Sequence, residues 1–357
     1  MNKSLITLIV CLILQSGTLE SFSQTVPEPP VLSDPASYTW ILLPDVQSYQ
    51  KFGRNQALFH LMADWIIDQK EKLNIRMVLC VGDLVEQNNL LQPDGINGDQ
   101  PSISQWKAAR TGFAKLDNRL PYILCTGNHD YGTKSAENRY SQFNSYFPPQ
   151  GNPLNLDLLV EMAPNAQGVE TLENGCFEWN SPDGQLFLIF SLEFAPRTEI
   201  LTWAKELAAR PEYEHHTAVV LTHSYMDSRG VRIEKENYKL AAPNYGKTIW
   251  EELVQPSSNI RLVFCGHIAD EESHRGQVGY REDDNRAGVK VCQMMFNAQR
   301  EGGGWHGNGG DGWLRILEFL PDRKIKVRTF SPLFWISPST RYLAWRTASY
   351  DQFEFAY

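Results

Sequence analysis

Short apolar runs, each broken by glycine or a small polar residue, recur along this chain, and in its first half they alternate with longer stretches of helical spacing. Tyr38 to Leu43 reads as a strand ending in Pro44-Asp45-Val46-Gln47. From Arg54 to Lys72, and on to Leu73, the positions Leu58, Leu61, Met62, Trp65, Ile66 and Leu73 fall at helical spacing. A strand from Arg76 to Val81 ends in Gly82-Asp83-Leu84-Val85-Glu86. Ser102 is expected to cap a helix carrying Trp106, Ala109, Phe113 and Leu116. The run from Tyr122 breaks at Gly127 and delivers Asn128, His129 and Asp130 in succession. Strand, helix, strand, helix, strand predicts a parallel sheet layered with helices.

From Phe147 to Gly175 the pattern dissolves into proline, glycine and asparagine, the composition of a long inserted loop near a site. A hairpin follows, Cys176 to Trp179 and Leu186 to Leu192 about the turn Ser181-Pro182-Asp183-Gly184. Thr198 to Arg210 reads as a helix stopped by Pro211. Ala218 to Leu221 is a strand ending in Thr222-His223, and Ile260 to Cys265 one ending in Gly266-His267. Val289 to Phe296, Trp313 to Leu320 and Ile325 to Phe330 are further strands, the last two turned against each other by Pro321-Asp322-Arg323-Lys324. Residues 333–357 hold eight aromatics, from Phe334 to Tyr357, and are expected to pack against the body.

Ahead of this pattern, Lys3 precedes the ten-residue run Leu5 to Leu14 and a polar stretch with small residues at Ser21 and Ser23. That is the layout of a secretory signal peptide over 1–23, too short to span a bilayer, and it implies a periplasmic or secreted protein. Cys11 lies within the apolar run and follows Val10, which argues against lipidation. Residues 24–37 are a proline-rich linker. No later stretch reaches membrane-spanning length. The formal charge of −9 gives no general attraction for nucleic acid or anionic membranes. Of the cysteines beyond the leader, Cys80, Cys125 and Cys265 read as small buried hydrophobes, and Cys176 is the candidate for a single bridge.

The length admits two domains, but the polar strand ends from Asp45 to His267 make sense only if they converge, so 38–332 is read as one domain. In open α/β sheets ligands bind beyond the carboxyl ends of the strands. Collected there are Asp45, Gln47, Asp83, Asn128, His129, Asp130, His223 and His267, oxygen and imidazole donors suited to borderline divalent metals.

With these residues in hand the chain resembles the calcineurin-like metallophosphoesterases, whose motif series is DxH, GDxx, GNHD or GNHE, a lone His after a strand, and GHxH. Here the series stands as Asp45-Val46-Gln47, Gly82-Asp83-Leu84-Val85, Gly127-Asn128-His129-Asp130, His223 and Gly266-His267-Ile268-Ala269. The resemblance implies an α/β fold, a two-sheet β-sandwich flanked by helices, and two divalent ions of manganese, iron or zinc. Asp83 would bridge both ions, with Asn128, His223 and His267 as the remaining ligands of the second. Asp45 would hold the first, where the family's two histidines are replaced by Gln47, which can ligate through its carbonyl oxygen, and Ala269, which cannot. Asp270, Glu271, His274 or His306 could substitute, with solvated loop charges as the alternative reading of Asp270 and Glu271.

Two ions about 4 Å apart would clamp a phosphoryl group and lower the pKa of a bridging water for in-line attack. The resemblance thus implies a secreted metal-dependent phosphoesterase, diester or monoester, acting on a phosphorylated small molecule or lipid. His129 is the candidate general acid, and Asp130 either orients it or caps a helix beginning near Ser135. Glu86 supports Asp83 or lies on a surface helix, and His215 and His216 form a solvated corner. The run Gly302 to Gly310 reads as a rim loop through which Trp305 and His306 reach the substrate or as a plain hairpin loop. A catalytically silent module with one metal site is the alternative, motivated by positions 47 and 269. A metallopeptidase is remote because no HExxH helix exists.

Overall fold

The computed structural model describes residues 27–270 and 272–357; the signal-peptide reading and Glu271 lie outside the described residues. Two mixed sheets of seven strands each form the molecule's centre. The strands are β1 (Tyr38–Leu43), β2 (Ile75–Cys80), β3 (Tyr122–Leu124), β4 (Leu159–Pro164), β5 (Glu170–Asn180), β6 (Leu186–Ser191) and β7 (Thr217–Leu221), then β8 (Ile260–Cys265), β9 (Val278–Asp284), β10 (Lys290–Phe296), β11 (Leu314–Phe319), β12 (Lys324–Phe330), β13 (Trp345–Arg346) and β14 (Gln352–Ala356). The first sheet runs β13-β12-β11-β1-β2-β3 with β14 also on β12, and the second β4-β5-β6-β7-β8-β10-β9.

Every residue of β1 is buried, because both faces of the strand are covered. On one side Trp40 meets Trp179 and Phe187 of the opposite sheet, at ring distances of 5.5 and 5.0 Å. Tyr38 adds a contact to Trp179 at 5.3 Å. The helix Gln56–Gln69 buries Phe59, Met62, Ala63, Trp65 and Ile66. It meets the helix Ser102–Ala114 through Phe59 and Phe113 at 5.0 Å, and the first sheet through Trp65 and Phe330, also at 5.0 Å. The helix Thr198–Ala208 covers the second sheet, with Trp203 edge-on to Phe190 at 5.9 Å. The result is the helix, sheet, sheet, helix order expected of the metallophosphoesterase sandwich.

What positions the site is strand direction. β1, β2 and β3 are parallel to one another in one sheet, and β6, β7, β8 and β10 in the other. Their carboxyl ends therefore open towards a common edge.

Several local readings need correction. Residues 147–175 are not a loop: Asn152 accepts from the Leu154 N–H to start the helix Pro153–Leu158, and β4 then pairs antiparallel with β5 at the sheet's edge. Proline serves here as the first helical residue, where its missing N–H costs nothing. Ser102 is the first helical residue rather than the cap, and its hydroxyl accepts from the Leu90 N–H at 2.6 Å. β9 adds an antiparallel edge strand that the acidic sequence around Glu282 concealed. His216 is buried, with Nε2 2.9 Å from Glu178, while His215 is exposed. Cys176 is unpaired, as are the buried Cys80, Cys125, Cys265 and Cys292.

The described part of the linker lies along the first sheet: the Ser37 hydroxyl is 2.8 Å from Glu318, and the Arg328 guanidinium donates to the Val31 carbonyl at 2.7 Å. The C-terminal segment supplies β13 and β14, and the Tyr357 ring rests 5.7 Å from Phe319.

Candidate metal centre

Asp45 follows β1, Asp83 follows β2, Asn128 follows β3, His223 follows β7 and His267 follows β8, so five connections from two sheets meet at one point. The glycines of the motifs are what let them meet. A Cβ on Gly127 would lie 2.1 Å from the Asp83 carboxylate, and one on Gly266 would lie 2.3 Å from that of Asp45. Each glycine thus leaves room for a carboxylate delivered by another strand. Asp83 and His267 themselves adopt left-handed backbone, with φ of 49° and 74°, a conformation concentrated at functional sites.

The donors of four residues converge. Asn128 Oδ1 lies 2.9 Å from His267 Nδ1 and 3.2 Å from His223 Nε2, and His223 Nε2 is 3.2 Å from the Asp83 carboxylate. The remaining nitrogen of each ring is occupied elsewhere. His223 Nδ1 donates to the Val81 carbonyl at 2.7 Å, and His267 Nε2 to Glu236 at 2.6 Å. Each imidazole therefore turns a lone pair towards the shared point, as metal-ligating histidines do. Two imidazoles, a carboxylate and an amide oxygen, all buried except the partly exposed His267, fit one borderline divalent cation. Phe194 stands beside both rings, at 5.9 Å from His223 and 6.1 Å from His267.

The charge balance of the bare site also calls for a cation. Burial pushes Asp45 up to about 7, partly offset by His223. Burial pushes Asp83 the same way, but the His223 and His129 charges outweigh it and hold this carboxyl below its usual range. Conversely, burial depresses His223, and Asp83 and Asp45 overcome it to raise the imidazole to about 10. Without metal, His223 carries the positive charge that buried carboxylates require.

The first-metal position differs. Asp45 Oδ2 accepts from Asn297 at 2.7 Å and from Gln299 at 3.3 Å, and its Oδ1 takes the His267 N–H at 3.2 Å. Gln47 is buried and lines the cleft, as does Ala269. None of the described substitutes fills the gap: Asp270 accepts from the Glu272 N–H, His274 pairs with Asp351, and His306 is an exposed residue beside Phe52. Asp45, Asp83 and His223, all buried, nevertheless bring one ligand atom each to within 4.8 Å of one another, and the buried Gln47 amide beside them has no hydrogen-bond partner among the described residues.

His129 is brought to the same cleft, with a fifth of its side chain exposed. Its Nδ1 is 2.7 Å from the Glu86 carbonyl, and its backbone N–H donates to Asp83 at 2.9 Å. Burial lowers its pKa, but the Glu86 and Asp83 charges prevail and raise it. Asp130 does not orient this ring. Its carboxylate accepts the N–H groups of Leu84, Val85 and Gly127, tying the Asp83 loop to the Asn128 loop, and burial pushes it up to about 8. No helix begins near Ser135 for it to cap. Glu86 is wholly inside rather than on a surface helix, and burial pushes it up to about 7.

Three further residues touch the centre: Asn297 and Gln299 through Asp45, and Glu236 through His267. Asn297 and Gln299 follow β10, a further parallel strand, so the rule that found Asp45 and His267 applied to them as well. Glu236 lies in a long connection without periodic pattern and gave no signal. Burial raises its pKa, but its hydrogen bond to His267 outweighs this and holds it below the usual range. Glu236→Ala is expected to weaken affinity for manganese or zinc by about 10- to 100-fold, the usual effect of losing such an outer carboxylate. A competition titration with a fluorescent chelator measures it, and unchanged affinity would remove Glu236 from the centre.

Comparison with known proteins agrees with the motif series. Residues 38–271 match the family model for calcineurin-like phosphoesterase. Among curated proteins, the uncharacterized protein YvnB of Bacillus subtilis (strain 168) is 25% identical over 297 residues, covering 83% of this chain. The chain spans only 20% of that relative's length. Among solved structures, GAP50, the anchor in the inner membrane complex of Plasmodium, is 11% identical with a TM-score of 0.38, covering 83% of this chain and 85% of that one.

Proposed function

The chain belongs to the calcineurin-like phosphoesterase family, and from that premise we propose that it is a metal-dependent hydrolase of phosphoester bonds. The observation that carries the reading is the convergence of Asp83, Asn128, His223 and His267 on one point beside a partly exposed His129. A divalent cation bound there supplies Lewis-acid polarisation of a phosphoryl oxygen and lowers the pKa of a bound water. The protein's own groups then have separate tasks. Glu236 and Val81 hold the two imidazoles in the ligating tautomer. Phe194 and the buried loops exclude bulk water on the inner side, where electrostatic interactions are stronger.

His129 is the proton donor for the departing oxygen. Its Nδ1–H is committed to the Glu86 carbonyl, which leaves Nε2 as the atom able to move a proton. The Glu86 and Asp83 charges raise its pKa against the effect of burial, the direction that favours the protonated ring. His129→Ala should lower kcat by about 10²- to 10⁴-fold for an alkyl phosphoester, whose leaving oxygen needs a proton, and far less for a nitrophenyl ester. Bound metal, measured by elemental analysis, should not change. An equal loss on both esters would contradict the proton-donor role.

The family supports a phosphorylated substrate, and the leader-like residues 1–23 support action outside the cytoplasm. Metal content and hydrolysis of aryl phosphomonoesters and phosphodiesters, measured together under manganese, zinc and iron, test the whole reading. Bound metal without turnover under all three would favour the silent binding module, for which the replacements at Gln47 and Ala269 speak.

A further inference from the structure

The connection from His223 to the helix Gly246–Ile249 runs past the metal centre, and its middle has no framework of its own. None of residues 231–244 is fully buried, and none belongs to a helix or strand apart from the isolated bridge between Arg232 and Met226. Among the described residues, no backbone group of 234–240 is hydrogen-bonded to another backbone group. The ends of the span are tied down. The Ile233 N–H donates to the Tyr225 carbonyl at 2.9 Å, the Arg139 guanidinium to the Ala241 carbonyl at 3.1 Å, and the Asn244 N–H to the Pro196 carbonyl at 3.2 Å. A span of this kind lies at the low-stability end of a fold and opens locally unless its side chains hold it.

Its side chains hold it to the metal ligands. Glu236 takes His267 Nε2 on one oxygen at 2.6 Å, and on the other the hydroxyl of Ser224, the residue after His223, at 2.8 Å. Tyr238 stands edge-on to Phe194 at 5.1 Å, the ring that touches both ligand imidazoles, and lines the cleft with Asp83 and His129. Its phenol is within hydrogen-bonding reach of Ser135, whose hydroxyl accepts from Asn128 at 2.8 Å. Ile233 and Leu240 pack with Phe194 and Tyr245 in a small apolar cluster apart from the two main cores. Glu234 pairs outward with Lys247. The inward hydrogen bonds of the span therefore end on His267 or on residues adjoining His223 and Asn128.

The bond to His267 responds to a cation. With Nδ1 engaged by a metal, the ring can donate only from Nε2, the donor that Glu236 accepts. With Nδ1 free, the ring proton can sit there instead and donate to Asn128 Oδ1, 2.9 Å away, so that Glu236 faces a lone pair in place of a proton.

We propose that residues 234–240 form a strap latched by the metal centre: a divalent cation on Asp83, Asn128, His223 and His267 keeps it closed through Glu236 and Tyr238, and loss of the cation releases it and opens the cleft wall that Tyr238 supplies. By linkage, the closed strap tightens the hold on the cation to the same extent. The proposal rests on the metal-binding part of the hydrolase reading and not on turnover.

The test is limited tryptic digestion of the full chain, stripped with a chelator and freed of it by gel filtration, then repeated after Mn²⁺ or Zn²⁺ is added and the bound metal counted. Lys235 and Lys239 are exposed within the strap, and Lys72 and Arg323 are exposed on turns ahead of β2 and β12. Cleavage after Lys235 and Lys239 should slow by about tenfold or more when metal binds, the size of an ordinary coupling between sites, while cleavage after Lys72 and Arg323 stays the same. In Glu236→Ala, at metal concentrations that restore the parent's metal count, the strap should be cut as fast as in the stripped protein. Glu236→Gln, whose amide oxygen still accepts from His267, should recover part of the protection. Equal strap cleavage in the stripped and loaded parent would overturn the proposal. Equal slowing at all four sites would overturn it too, because the metal would then brace the whole chain. Full protection of loaded Glu236→Ala would remove Glu236 as the latch. A chain that takes up neither metal would sink the metal reading and this one together, whereas a latched strap on a chain that cleaves no phosphoester would sink the hydrolase reading alone.

Discussion

Asp83→Asn is expected to lower turnover by about three orders of magnitude or more while leaving the chain folded. Asp83 is the only carboxylate among the four convergent ligands, and its two oxygens reach the His129 N–H at 2.9 Å and His223 Nε2 at 3.2 Å. Asparagine keeps the shape but removes the anion that neutralises the cation and turns an N–H₂ towards one of these partners. Several kcal/mol of Lewis-acid stabilisation depends on that ion, and each ~1.4 kcal/mol is a factor of ten in rate. The fold should survive, because asparagine accepts the left-handed φ of 49° at this position as readily as aspartate. Turnover, metal content and circular dichroism on one preparation decide the matter. Undiminished activity in Asp83→Asn would refute the role given to this carboxylate.

The largest loss of stability is expected from Trp40→Ala, at about 3–5 kcal/mol, the range for deleting a buried large aromatic. Trp40 has no exposed surface and contacts Trp179, Phe187 and Phe319, so it bridges the two sheets at their centre. The same strand presents Asp45 a few residues on, so a cavity at Trp40 loosens one wall of the cleft as well as the core. Chemical denaturation of Trp40→Ala beside Trp40→Phe measures the effect. The phenylalanine variant, which keeps most of the aromatic contact, should lose clearly less, and an alanine variant within 1 kcal/mol of the parent would contradict this placement of the core.

The parts of the fold that could be read in advance are those where burial on both faces leaves an uninterrupted apolar run. Tyr38–Leu43 and Ile260–Cys265 occupy the positions their runs indicate, because strands covered on both faces are mostly apolar, with Thr39 and Arg261 the single polar side chains in the two. Edge strands are half-solvated and blur: β4 is only partly buried and β9 is largely polar, and both passed unnoticed. The ligands were legible for a topological reason, since parallel strands deliver their following residues to one edge. Chain neighbours misled where that reason did not apply. Asp130 adjoins His129 in sequence, yet its carboxylate turns away to three backbone amides, whereas Glu86, far from His129 in the chain, meets it through a carbonyl. Asn297 and Gln299 obey the strand-end rule, but as neutral amides they carry no signature of a metal ligand.

The five described cysteines are all interior thiols that form no disulfide. No disulfide therefore braces the described chain, and its resistance to unfolding comes from non-covalent contacts and any bound metal. Such a protein should melt at the same temperature with or without dithiothreitol, and reach its native state with no help from thiol oxidases or isomerases.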